Sequence, residues 1–267
     1  SSSHTLQLRT LLLESCCIDN RVASVIGENC PNLTHLNVAD THITSNGLLA
    51  LAPLKQLRTL NFSGCKVHNH GLRVLANFTL LQELYMDCPN LSDPCLIFLR
   101  PLAPTLTRLD VFETPLTEHG LEHILALKKL IFLEFCNGRL SNFGLNRIAT
   151  NLTQLTSLNI SQNKHINDLG LQPLSLLKHL VHLNLSGTSA THNGLSFLNL
   201  NSNSNSNLNS TSTSADSSLA LQSSGEIGNS LRRISLFGCN VRPTSAKVKQ
   251  LPTGIQLGLD AGIVSIE

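Results

Sequence analysis

The motif Leu-x-x-Leu-x-Leu, with other apolar residues admitted at its later positions, begins at Leu8, Leu33, Leu57, Leu81, Leu106, Leu130, Leu155, Leu180 and Leu231. The first eight starts stand 24 or 25 residues apart. A period of that length is the signature of a chain wound into stacked coils, because one such unit is a single supersecondary element that cannot bury its own apolar face. We number the units one to nine in that order.

Within a unit the middle of the motif alternates apolar and polar residues, as in Leu36-Asn37-Val38 and Leu158-Asn159-Ile160, the period of a short strand with one face inward. A further apolar residue follows, such as Ile43, Val67 or Leu116, and then a Gly-Leu pair, as at Gly47-Leu48, Gly71-Leu72 and Gly170-Leu171. Leu48, Leu51 and Leu54 then recur at helical spacing, so each unit is expected to return through about two helical turns. The glycine is expected to let the backbone enter that helix tightly without a Cβ clash, with Thr44, Ser45 or Asn46 available to cap it. Neighbouring strands would pair about 4.8 Å apart into a parallel sheet, and the wider helices on the other face would bend the stack. The expected fold is α/β: one domain over residues 1–267, with a concave strand face and a convex helix face.

These residues resemble the leucine-rich repeat superfamily, which implies a right-handed α/β horseshoe. Cys16, Thr41, Cys65, Thr114, Thr188 and Cys239 share the position after the strand, and "NCPNL" (29–33) and "DCPNLSD" (87–93) accompany them. In these features the chain is similar to the intracellular, cysteine-containing class found in F-box/LRR ubiquitin-ligase substrate receptors. The resemblance implies a cytoplasmic placement, with the nucleus as an alternative, and a part in recognising proteins for a ubiquitin ligase. No F-box is visible, so such a role requires a segment outside this chain.

Composition narrows the partners. Charged residues make up 13% of the chain and the net charge is +2 with no Lys/Arg block, which argues against nucleic acid and against an anionic membrane surface. No span reaches the roughly 18 uninterrupted apolar residues of a membrane helix, and the start lacks the pattern of a secretory signal. The eight cysteines, without tight clusters, read as reduced thiols, with Cys16, Cys65 and Cys239 as small buried side chains. Sequons stand at Asn32, Asn61, Asn77, Asn90, Asn151, Asn159, Asn184 and Asn209, and the strand motif itself produces those at Asn61, Asn159 and Asn184, so their number says little about secretion.

Leu6, Leu8, Leu11 and Leu13 of the first unit have nothing amphipathic ahead of them, which leads us to expect a capping domain or adaptor outside this chain. Ile255, Leu257 and Leu259 read as a last strand. The Asn/Ser-rich stretch 201–230 has almost no residues able to bury, and is expected to be a disordered insert in the eighth unit.

No chemistry of catalysis or metal binding stands out. Cys65, His68 and His70 are ligand types but fall at a buried position and a turn, and His119 and His123 lack the H-E-x-x-H pattern. No phosphate loop, nucleophile elbow or convergent Ser/His/Asp set appears, and no cofactor is expected.

Recognition is therefore expected on the outward residues of the concave strands. Units two, three, seven and eight offer small neutral residues there, among them Asn37, Ser63, Ser157 and His182. Units four to six differ. They carry Glu83, Tyr85 and Asp87, then Arg108, Asp110, Phe112 and Glu113, then Phe132, Glu134 and Cys136. Aromatics ringed by charge are what binding hot spots are made of, and the excess of carboxylates favours a protein or peptide with a basic segment. The alternative is an extracellular or cell-surface recognition domain whose sequons are used.

Overall fold

The computed structural model describes residues 7–198, 230–241, 254–260 and 262–265. Each motif start is followed by a three-residue strand at the expected phase: β1 (Thr10–Leu12), β2 (His35–Asn37), β3 (Thr59–Asn61), β4 (Glu83–Tyr85), β5 (Arg108–Asp110), β6 (Phe132–Glu134), β7 (Ser157–Asn159), β8 (His182–Asn184) and β9 (Arg233–Ser235). β10 (Gln256–Leu259) and β11 (Gly262–Ser265) complete one sheet in which spatial order follows chain order. β1 to β10 pair in parallel and β11 pairs antiparallel with β10. Equivalent residues sit side by side, as Leu36, Leu60, Leu84 and Leu109 do, so the motif leucines form continuous inward rows. From Leu33 onward the motif-start leucines are fully buried. Leu8 and Leu12 of the first unit are exposed, while Leu11 and Leu13 pack partly on the core; Leu6 and residues 201–229 of the insert lie outside the described residues.

The last strand was legible but its partner was not. Ile255, Leu257 and Leu259 are buried as expected. Only two residues separate Leu259 from Gly262, far too few for a parallel crossover, so β11 folds back as a hairpin.

The return segments are helical but mixed. Asn20–Asn29, Ser45–Ala50, Leu121–Leu125 and Asn142–Asn151 are α-helical, whereas Asn69–Asn77, Asp93–Leu102, Asp168–Leu176 and Gly194–Leu198 are 3₁₀ helices. Pro101 and Pro173 lie inside two of the latter, where their missing amides cannot support an α-helical ladder.

The repeated glycine avoids a Cβ clash, as expected, but the clash it avoids is with the preceding coil. Gly47 and Gly170 do not use the left-handed backbone. A Cβ on either would collide with an amide oxygen of the preceding unit, Asn20 Oδ1 or Asn142 Oδ1. The same oxygens accept backbone N–H groups of the next coil, from Thr44 to Asn20 at 2.9 Å and from Asn167 to Asn142 at 3.0 Å. The series continues with His68 to Ser45, Ser92 to Asn69, Thr117 to Asp93, Ser141 to Glu118 and Thr191 to Asp168. Thr44 makes no side-chain cap bond, and Ser45 serves its neighbour instead. Each glycine lets the next coil come close enough for this bond.

A second ladder explains the Cys/Thr position. Thr41 Oγ1 donates to Val38 O at 2.7 Å, Thr114 Oγ1 to Met86 O at 3.1 Å and Cys65 Sγ to Val38 O at 3.2 Å. Asn163 Nδ2 donates to Phe135 O at 2.8 Å and to Ile160 O at 3.0 Å, and Asn163 Oδ1 accepts from Leu140 N at 3.0 Å. The position selects a small buried donor to a backbone carbonyl, a requirement that Cys, Thr and Asn all meet. Cys65 and Cys239 are buried in it, but Cys16 is exposed, because no coil lies in front of it among the described residues.

Two predictions follow from this packing. Asn163→Ala strands buried backbone groups and should cost about 2–3 kcal/mol in urea unfolding; a loss under about 0.5 kcal/mol would show that the ladder contributes little. Cys16 and Cys17 are exposed and the other six thiols buried, with burial pushing Cys95 and Cys136 up to about 12. The reduced native protein should therefore show two fast-reacting thiols at pH 8 and eight after denaturation, read by a chromogenic disulfide.

Candidate functional site

Much of the concave face is committed to holding the strands in place. Asn37, Asn61, Asp110, Asn159 and Asn184 stand at one register position, and the side-chain oxygen of each accepts the backbone N–H two residues on, at 2.9 to 3.2 Å. These bonds close a turn at the end of each strand. Tyr85 and Glu134 occupy the same row, opposite Asp110 from either side, and break the rule.

A second series of bonds is interrupted at the same place. Beyond the strands, Asp40 N bonds Ser63 O at 2.8 Å, Gly64 N bonds Asp87 O at 2.7 Å, Asn137 N bonds Ser161 O at 3.1 Å and Gln162 N bonds Ser186 O at 2.7 Å. Cys88 N turns instead to Thr114 Oγ1 at 3.3 Å, and Glu113 N makes no bond of this series. Glu113 holds the left-handed turn conformation, φ 50°, that Gly64 and Gly187 take in their own units.

The structure divides the expected site residues into groups. Glu83, Arg108 and Phe132 are adjacent in one row. The Arg108 guanidinium lies 3.9 Å from the centre of the Phe132 ring, and its Nε is 3.9 Å from Glu83 Oε1. Tyr85 donates its hydroxyl to Glu83 Oε2 at 3.2 Å. Phe132 is therefore half-buried beneath a cation. Tyr85, Asp110 and Glu134 form the next row, with Glu134 Oε2 accepting from Asn159 Nδ2 at 3.1 Å. Asp87, Phe112 and Glu113 lie past the strand ends, so the three aromatics stand on three different rows.

Cys136 is a correction. It is 1% exposed and offers no contact surface. Asn159 O accepts its thiol at 3.6 Å, and Ala39 and Ser161 are buried at the same position of their units, whereas the larger Asp87 and Phe112 there are not.

Burial raises three carboxylates of the patch, Asp87, Asp110 and Glu134. Desolvation, then repulsion from Glu113, Asp110 and Asp40, brings Asp87 up to about 6. Desolvation also raises Asp110, against the pull of Phe112 N–H and Arg108, and raises Glu134 with repulsion from Asp110. Tyr85 is raised by desolvation and then by Glu83. The patch is a concentration of negative charge that its own neighbours only partly relieve. Among the described residues no group of three or more His, Cys, Asp or Glu is placed to hold a metal ion, and no helix is long and apolar enough to cross a membrane.

Beside the patch runs a trough that the sequence did not disclose. A hollow of about 400 Å³ is lined by Glu83, Thr107, Arg108, Ile131, Phe132 and His182 among others. It shares Ser157 and His182 with a second hollow of about 180 Å³ that reaches Glu134, Asn184 and Arg233. Ser157 and His182 were read as bland surface. Thr107 and Ile131, one residue before the strands, carry no mark in the motif, although an isoleucine at a position that most units fill with Arg, Thr or Gln was a usable signal.

Three segments of the chain, residues 29–52, 55–76 and 151–175, match the family described as Leucine Rich repeat. The chain folds as a leucine-rich repeat solenoid. Among solved structures it is similar to internalin C2 from Listeria monocytogenes, with a TM-score of 0.55 and 23% identity over 68% of this chain and 72% of that one. It is also similar to an internalin, InlF, from the same organism, with a TM-score of 0.53 and 18% identity over 95% of this chain and 80% of that one. At these identities the likeness is one of leucine-rich repeat architecture.

The raised Asp87 gives a pH prediction. The folded state holds this proton more tightly than the unfolded chain, whose aspartate titrates near 3.8, so ionised Asp87 opposes folding above about pH 6 and has no effect below about pH 4. Asp87→Asn should raise the urea midpoint at pH 7.5, with the gain over wild type disappearing as the pH falls through that window.

Proposed function

We propose that the solenoid is a recognition module that binds a protein or peptide on its concave face, centred on units four to six, without chemistry of its own. The reading rests on one observation. At the register position where five units use Asn or Asp to close a turn, Tyr85 and Glu134 make no such bond, and they flank the stacked Arg108–Phe132 pair. Side chains that serve no turn and stay partly exposed on a sheet face are available for contact, and Tyr and Arg are the types that dominate interface energetics.

Size supports a footprint larger than the patch. Three strands about 4.8 Å apart and about 17 Å long present a few hundred Å², against roughly 800 Å² per partner in a standard interface. The trough toward His182 and Arg233 lengthens the surface to about 24 Å along the stack. The carboxylates at its centre favour a partner with Lys or Arg there.

A sharper form of the proposal is an intracellular substrate receptor for a ubiquitin ligase, working in the cytoplasm or nucleus with an adaptor-binding segment outside this chain. Its support is the Cys/Thr ladder position and the two Cys-Pro-Asn-Leu segments.

Partners recovered by cross-linking and mass spectrometry supply the ligand for the test. Tyr85→Ala and Glu134→Ala should each weaken its binding about tenfold while the urea midpoint stays near wild type. Unchanged affinity in both variants removes this site.

A further inference from the structure

The concave face carries its charges in two separate bands. On the strand-start side, the residue before each strand and the first strand residue supply Arg9, Arg58, Arg108, Arg232 and Arg233 against a single carboxylate, Glu83. On the strand-end side, Glu14, Asp40 and Asp260 join the carboxylates of the patch. Among the described residues no Lys or Arg falls at the last residue of these strands or the three after it, and Lys66, Arg139 and Lys164 come two residues further on. The bands do not neutralise each other. Among the described residues the cation–carboxylate pairs are Arg108 with Glu83 and Arg147 with Glu122, and the second joins two return helices. Arg9, Arg58, Arg232 and Arg233 are exposed.

The trough gives this separation a direction. Its lining residues come from β4 to β9 at matching register, so it runs across the strands, with Arg108 and Arg233 on one flank and Glu134 on the other. A chain seated in it would meet Arg108, beside Glu83, and Arg233 along one edge and Glu134 along the other, with the strand-end carboxylates Asp110 and Asp87 nearby. In an extended chain successive side chains point to opposite sides.

We infer that the concave face selects an extended peptide segment with oppositely charged edges, laid across the strands with its acidic side chains toward the strand starts and its Lys or Arg toward the strand ends. In sequence such a segment alternates acidic and basic residues and carries little net charge. The inference rests on the proposed concave-face recognition and adds a rule for its ligand.

Two synthetic dodecapeptides of identical composition provide the test, (Glu-Lys)6 and (Glu-Glu-Lys-Lys)3, because only the first places all of each charge on one edge of an extended chain. Fluorescence anisotropy at low ionic strength should show the alternating peptide binding at least about fivefold tighter, with the advantage shrinking as salt is added. The Arg232→Glu/Arg233→Glu double variant, altered at exposed residues, should lose that preference while its urea midpoint, measured alongside, stays near wild type. Equal affinity for the two peptides, binding of neither, or a preference that survives in the double variant overturns the inference. The Tyr85→Ala measurement on the recovered partner decides the concave-face reading independently, so the two can fail separately.

Discussion

Contact between successive coils is the constraint on which the rest of this molecule depends. A coil of about 24 residues encloses too few side chains to exclude water alone, so its leucines become a core only when another coil lies against them. Parallel strand pairing fixes the spacing on one face. On the other face it is set by a short polar side chain that reaches across to the next coil's backbone N–H, over a glycine that leaves room for it. Sheet, core and concave surface all inherit their regularity from that repeated approach.

The fold was legible because the leucines repeat at a fixed phase, and phase is information that a single sequence carries. What the phase could not disclose was why particular residues recur. Gly47 and its counterparts read as room for a tight helix entry, whereas the atom that needs the room belongs to the preceding coil, invisible to local pattern. The Cys, Thr and Asn after the strands read as loosely related small residues until the carbonyls they bond were seen. β11 was missed for a simpler reason: its alternating run follows β10 with almost no break, and the fold-back depends on a two-residue separation.

The candidate site was partly legible. Reading outward positions located the row of Glu83, Arg108 and Phe132 and the row of Tyr85, Asp110 and Glu134. It could not separate residues that face solvent from those that turn along the next coil, and so it included Cys136. Nor could it show that Asp110 both belongs to the patch and closes a turn, because Asn and Asp at that position look like ordinary polar surface.

Asparagine and aspartate on the concave rows thus tie much of the surface to the fold, and the departures at Tyr85 and Glu134 show that a coil tolerates the loss of its tie. The loss of one turn-closing bond, on the order of 1 kcal/mol, is spread over a stack held by many others. A surface made this way can be rewritten one coil at a time, with each revision confined to its own coil while the winding continues unchanged on either side.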